Sequence, residues 1–165
     1  MICAHIGIAV CALGVGLSTA YDAQRDVRME PGDRVEVSGY QFEFVSLKQV
    51  QGPNFVAYRG EIEVVSGDRV VATMLPEKRN YRAGGQVMTE AAIDGKLSRD
   101  LYVSLGEPLA GDAWAIRVYV KPFVRCIWLG GLMIALGGLL AAFDKRYRRR
   151  KTVVSKAAQA EALGI

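Results

Sequence analysis

Histidine is almost missing from this chain: His5 is the only one in 165 residues. With no imidazole elsewhere, no Ser/His/Asp or Cys/His catalytic set can be assembled from residues outside the first few positions. Cysteine is nearly as scarce. Cys3, Cys11 and Cys126 all lie in or beside apolar runs, and residues 21–121 contain none. That segment therefore has no disulfide framework and no paired-cysteine zinc site, and it can face an oxidising compartment without mispairing. No glycine-rich phosphate loop precedes a basic residue. These absences argue against a self-contained hydrolase or nucleotide enzyme. Internal repeats and low-complexity linkers are absent too.

What the chain has in quantity is apolar sequence, concentrated in two places. Residues 1–20 and 123–143 each approach the length that crosses a hydrocarbon layer of about 30 Å as a helix. Residues 18–20, "STA", fit a small-x-small cleavage site. The positive stretch that opens a signal peptide is missing, however, and the apolar run is long, so the first run is read as a retained span. Both runs are rich in small residues. Gly7, Cys11, Gly14 and Ser18 recur at three- and four-residue spacing, as do the pairs Gly131/Ala135, Gly137/Ala141 and Gly138/Ala142. Such spacing lets helix backbones approach closely and predicts packing in a bundle.

Charge is distributed by segment. Residues 21–121 hold 13 Lys and Arg against 15 Asp and Glu, whereas residues 144–165 hold 7 against 2. The net charge of +4 thus describes a tail and does not indicate a nucleic-acid surface. The tail opens with "DKRYRRRK" directly after the second apolar run. Clustered Lys and Arg stay on the cytoplasmic side, which puts the C-terminus inside and residues 21–121 outside.

The outer segment reads as β. "DRVEVSGYQFEFVSL", "NFVAYRGEIEVV", "RVVATML", "LYVSLG" and "AWAIRVYVK" are short, rich in Val, Tyr, Phe and Ile, and often alternate. Tyr40, Phe42 and Phe44 share one face, with Gln41 and Glu43 on the other. "EPGD", "QGPN", "SGD", "AGG", "DGK" and "AGD" mark turns, and "VVSGDRVV" is the clearest hairpin. About seven or eight strands are expected, in a small sandwich or barrel. "MTEAAIDGKLSRD", residues 88–100, is the least strand-like part and is expected to hold one helical turn. The predicted class is a membrane protein. Two transmembrane helices, at 1–20 and 123–143, flank an all-β extracytoplasmic domain at 21–121, and a basic cytoplasmic tail follows at 144–165.

His5 is then the residue that asks for an explanation. It lies 15 residues before Ala20, about 22 Å along a helix. An ionisable group at such a depth is costly and usually functional. Three readings stay open: a hydrogen bond to another helix, a place near the cytoplasmic interface, or ligation of a metal, most plausibly a haem iron, through a neutral ring nitrogen. With one histidine the chain cannot give two imidazoles to one iron, so a bis-histidine site needs a base from elsewhere.

Several strings are more specific. "MICAHIGIAV", "RDVRMEPGD", "GYQFEF", "QGPNF", "LPEKRNY", "MTEAAID", "RDLYVSLGEPL", "RVYVKPFVRCIWLGGLMIALGG" and "DKRYRRR" occur in this order. Together they resemble the C-terminal portion of the CcmF family of cytochrome c-type biogenesis proteins, the haem lyase subunit. The resemblance implies a polytopic protein of the bacterial inner membrane that takes haem from a periplasmic haem chaperone and helps attach it to apocytochrome c. It also implies a haem b in the bilayer, with His5, in "AHIG", as an axial ligand of the iron. The implied partners are the remaining part of the haem lyase subunit and its other subunits. The tryptophan-rich "WWD" segment, the histidines flanking it and the partner histidine do not occur here. The chain therefore looks like the last quarter of such a protein, as a fragment, a split-gene product or a truncated form, and thioether formation is not assigned to these residues alone. The alternative is a membrane-anchored β scaffold with no haem.

Other polar residues have simpler readings. Glu77, Lys78, Arg79 and Tyr81 of "PEKRNY" could contact a partner, but are read as a solvated strand end with weak ion pairs. Asp94 starts a turn, and Gly52 and Pro53 stiffen a loop. Arg117, Lys121 and Arg125 lead into the second span, where Arg125 can snorkel to the outer interface.

Overall fold

The computed structural model describes residues 2–143. Residues 144–165, where the basic cytoplasmic tail is expected, lie outside the described residues. Two apolar helices, α1 (Ile2–Ala20) and α2 (Val124–Phe143), flank ten strands: β1 (Ala23–Met29), β2 (Arg34–Val37), β3 (Tyr40–Gln51), β4 (Phe55–Ser66), β5 (Arg69–Met74), β6 (Glu77–Tyr81), β7 (Val87–Glu90), β8 (Ala92–Gly95), β9 (Arg99–Pro108) and β10 (Trp114–Pro122).

The strands form two antiparallel sheets. One has the order β1-β10-β9-β8; the other runs β2-β3-β4-β6-β7, with β5 also on β4. β4 is long enough to carry two partners along one side, β6 beside residues 55–59 and β5 beside residues 62–66. The chain crosses between them at Pro76, whose carbonyl accepts from the Gly60 N–H. The core is made where the alternating apolar faces meet. Phe42, Phe44, Ile62 and Val64 from the larger sheet bury against Leu101, Val103, Leu105, Ile116 and Val118 from the smaller. This is a sandwich, which decides between the two architectures the strand pattern allowed.

The hairpin at "VVSGDRVV" forms as expected, with Ser66 opposite Arg69 and Gly67 in the left-handed region at φ 60°. Ser38 and Gly39, at φ 51° and 78°, make the two-residue turn between β2 and β3, as a type I′ turn requires. The expected helical turn within residues 88–100 is not there. That stretch forms the end of β7, all of β8 and the start of β9. β7 and β8 are four-residue strands at the margins of their sheets. Their pairing comes from neighbours and not from their own alternation.

The helices pack on each other through glycine. A Cβ on Gly7 would lie 2.8 Å from the Gly130 carbonyl oxygen and 2.8 Å from the Ile134 nitrogen. At Gly14 it would meet the Ile127 nitrogen at 2.8 Å, and at Gly137 the Ala4 nitrogen at 2.5 Å. The contact row is thus Gly7 and Gly14 on α1 against Gly130 and Gly137 on α2, antiparallel, with a spacing of seven residues on both helices. Seven residues return to nearly the same face after two turns. Gly7, Cys11 and Gly14 of the expected α1 row all take part, since a Cβ on Gly130 would lie 2.5 Å from the Cys11 nitrogen; on α2 the expected pairs Gly131/Ala135 and Gly138/Ala142 are corrected. Gly131 and Gly138 meet nothing within 4 Å, and Ala135 and Ala142 are exposed.

Candidate functional site

His5 sits on α1 two residues before Gly7. At 100° per residue its side chain is about 160° around the helix from the glycine that touches α2. It is exposed on this chain, while Gly7 is buried against α2. On the α2 side, Ala4 lies under Gly137, and the Cys3 Sγ–H reaches the Met133 carbonyl at 3.5 Å. The imidazole therefore lies on the face of α1 away from the Gly7 contact. Among the described residues no three His, Cys, Asp or Glu side chains come together as a metal site. An imidazole is a side chain of the kind that could hold a porphyrin iron.

The "PEKR" residues are not a solvated strand end. Glu77 is only 5% exposed. Arg59 on β4 donates from Nε to its Oε1 at 2.5 Å, and Arg79 donates from Nε to its Oε2 at 2.7 Å. Arg79 also lies 4.5 Å above the Phe55 ring and 3.5 Å from Glu90 on β7. Lys78 extends to the other sheet, where it donates to the Gly106 carbonyl at 3.0 Å and pairs with Glu107 at 2.5 Å. The cluster stitches β4, β6 and β7 together and joins the two sheets. Burial alone would raise the Glu77 carboxyl; the hydrogen bonds from Arg79 and Arg59 outweigh it and hold the group below the ordinary glutamate range. The same contact, with one to Tyr81, raises the Arg79 guanidinium.

A pH dependence follows with a definite sign. A carboxyl with a depressed folded pKa contributes stability in full above its unfolded value, about 4.3, and loses it as pH falls through the folded value. Thermal melts of the domain are expected to weaken below about pH 4.3, and Glu77→Gln is expected to lower the melt at neutral pH while flattening the acid limb. An unchanged acid limb in that variant would show that the buried pair does not titrate with folding. Some slope remains, because Asp26, hydrogen-bonded by Arg117, and Glu61, hydrogen-bonded by Ser46, are also held low.

The other polar residues fall at separate places. Arg117 lies in β10 and clasps Asp26 of β1 with two bonds, at 2.6 and 3.0 Å. Both side chains are half exposed, so the pair adds little. Asp94 belongs to β8 and accepts the Arg99 Nη1 through both its carbonyl and its carboxylate. Arg125 approaches Asp100 at 3.7 Å, and Lys121 approaches Asp22 at 3.3 Å. Gly52 is required because a Cβ there would strike the Phe55 ring.

The fold and the helix pair define a class: a β-sandwich module carried between two helices that are long and apolar enough to cross a membrane. The family model described as CcmF C-terminal beta-sandwich matches residues 20–122. The chain belongs to the CcmF family of cytochrome c-type biogenesis proteins. It is 55% identical over 98% of its length to the cytochrome c-type biogenesis protein CcmF of Pseudomonas aeruginosa, of which it covers 24%. It is 51% identical over 91% of its length to the CcmF of Escherichia coli, of which it covers 23%. The solved structure of a cytochrome c heme lyase CcmF superposes with a TM-score of 0.70 and 17% identity over 86% of this chain and 24% of that one, which shows the shared fold. The chain thus spans about a quarter of the relatives it matches. Family and apolar helices together support an inner-membrane protein.

Proposed function

We propose that this chain is the C-terminal part of a haem lyase subunit in cytochrome c maturation. In this reading α1 places His5 as one axial ligand of a membrane-embedded haem b, and the sandwich stands on the periplasmic side as a docking domain. The remaining part of the subunit supplies the second base and the haem-handling segment. The other subunits, a periplasmic haem chaperone and apocytochrome c are its partners. The C-terminus lies in the cytoplasm. When bound, the haem supplies a one-electron iron couple that keeps delivered haem reduced.

The observation that carries the reading is the place of His5. It is an ionisable ring on an apolar helix, on the face of α1 away from the glycine that meets α2. An ionisable side chain in such a span is costly and usually functional. The "AHIG" setting, within a chain so similar to CcmF proteins, supports a haem-ligand role for it.

The test is to co-express the chain with the remaining N-terminal part of the protein and purify both from membranes. The parent is expected to carry a low-spin haem b spectrum, and His5→Ala is expected to lose it or convert it to a high-spin form. A haem signal unchanged by that substitution would refute the ligand role. Copurification of partners with no haem in the parent would favour the scaffold reading.

A further inference from the structure

A cleft of about 530 Å³ opens at the end of the sandwich where the chain passes into α1 and α2. Its lining includes Leu17 and Tyr21 from the last turn of α1 and just after it, Tyr40 at the start of β3, Ser98 and Arg99 at the β8–β9 turn, and Phe123 between β10 and α2. Three aromatic rings and a leucine thus surround a single cation. Residues 17–21 and 122–124 are where the apolar helices end, so the cleft stands at the depth of a bilayer's polar–apolar boundary.

Two features mark it as built for a guest. Arg99 is only 7% exposed, and both of its hydrogen bonds run from Nη1 to Asp94. Its guanidinium lies 5.1 Å from the Tyr40 ring centroid, which fixes the plane. Nε and Nη2 make no hydrogen bond among the described residues, so an oriented pair of donors remains at the cleft. The second feature is Phe123, which holds φ at 60°. That region is unfavourable for a bulky residue and persists only where the surroundings impose it. Here the Phe123 N–H is tied to the Ser98 carbonyl at 3.1 Å, and the ring is kept on the cleft wall.

We propose that this cleft holds one phospholipid of the outer leaflet. Arg99 takes the phosphate diester through its free donors, the Ser98 hydroxyl faces the glycerol, and an acyl chain descends past Phe123 and Leu17 into the bilayer. Tyr21 and Tyr40 sit at headgroup level, where amphipathic rings are favoured. A soluble anion would meet the cation but leave the apolar walls uncovered, so the lipid is the occupant that satisfies both. The site rests on α1 and α2 crossing a bilayer and on the periplasmic placement of the sandwich proposed above, and does not depend on the haem reading.

The experiment is native mass spectrometry of the full chain, released from detergent after equilibration with phosphatidylglycerol. One lipid per chain is expected to stay bound, undisturbed by millimolar inorganic phosphate. Ser98→Trp fills the cleft from an exposed turn without removing a buried group, and is expected to cut the bound fraction about tenfold, equivalent to roughly 1.4 kcal/mol. Phe123→Gly is expected to cut it as well while leaving the melting temperature equal or higher, because it releases the backbone strain. The proposal fails if the parent retains no lipid, if inorganic phosphate displaces it, or if Ser98→Trp retains as much as the parent.

Discussion

Gly130→Leu is expected to separate α1 from α2, whereas Gly131→Leu, one residue on, is expected to leave them together. A Cβ on Gly130 would lie 2.5 Å from the Cys11 backbone nitrogen and 2.7 Å from the Gly7 carbonyl oxygen. Both obstacles are backbone, so no rotamer change makes room. Gly131 points where nothing lies within 4 Å. In a bilayer the two helices have no hydrophobic drive to associate, because lipid tails are as apolar as leucine; close packing is what holds them. The measurement is the distance distribution between spin labels at positions 2 and 140, both exposed, in lipid vesicles. The parent and Gly131→Leu are expected to share one narrow peak, and Gly130→Leu a longer or broader one. Identical peaks in all three would mean that the glycine row does not set the packing.

Phe44→Ala is expected to unfold the sandwich at a much lower temperature. The ring is fully buried among Phe42, Ile62, Leu105 and their neighbours. Its backbone also anchors the turn before β2: its N–H donates to the Asp33 carbonyl at 2.9 Å, and its carbonyl accepts from Gly32 at 2.6 Å. Removing a buried phenyl ring costs about 3–5 kcal/mol. For a domain of roughly 100 residues that is a large share of total stability, and it corresponds to a fall of about 15–30 °C in Tm. Val45, the next residue, is 39% exposed, and Val45→Ala is expected to change Tm by a few degrees at most. Near-UV circular dichroism of the full chain on heating separates the two. Equal shifts would mean that Phe44 is not in the core.

The strands legible in the sequence are those whose alternation was itself apolar. Tyr40, Phe42 and Phe44 share a face as the period-2 pattern required, and the last two are buried. β1 was missed for a physical reason. In "AQRDVRM" only Ala23, Val27 and Met29 are buried or partly buried, and Gln24, Arg25, Asp26 and Arg28 are exposed, the inward-face Arg25 among them, so the apolar alternation is broken. In β6 what was hidden is the burial of its charges. Glu77, its inward residue, is buried by pairing with Arg59 and Arg79, and a charge satisfied in this way leaves no hydrophobic signature. The helix row was visible as a surplus of small residues, but which glycines touch depends on the relative rotation of two helices. Nothing in either helix alone reveals that phase. His5 was conspicuous because it stood alone in apolar sequence, whereas the face it occupies followed only from where Gly7 went.

The open margins of the two sheets have a consequence for how such a module survives in a crowded compartment. β2, β7 and β8 offer only four residues each, β5, paired with β4 alone, offers six beginning at Arg69, and β1 presents Arg25, Asp26 and Arg28 along its length. Neighbouring copies held at high density in one membrane thus find no long, uncharged ribbon on which to stack. The module can wait beside its own kind without growing into a fibre.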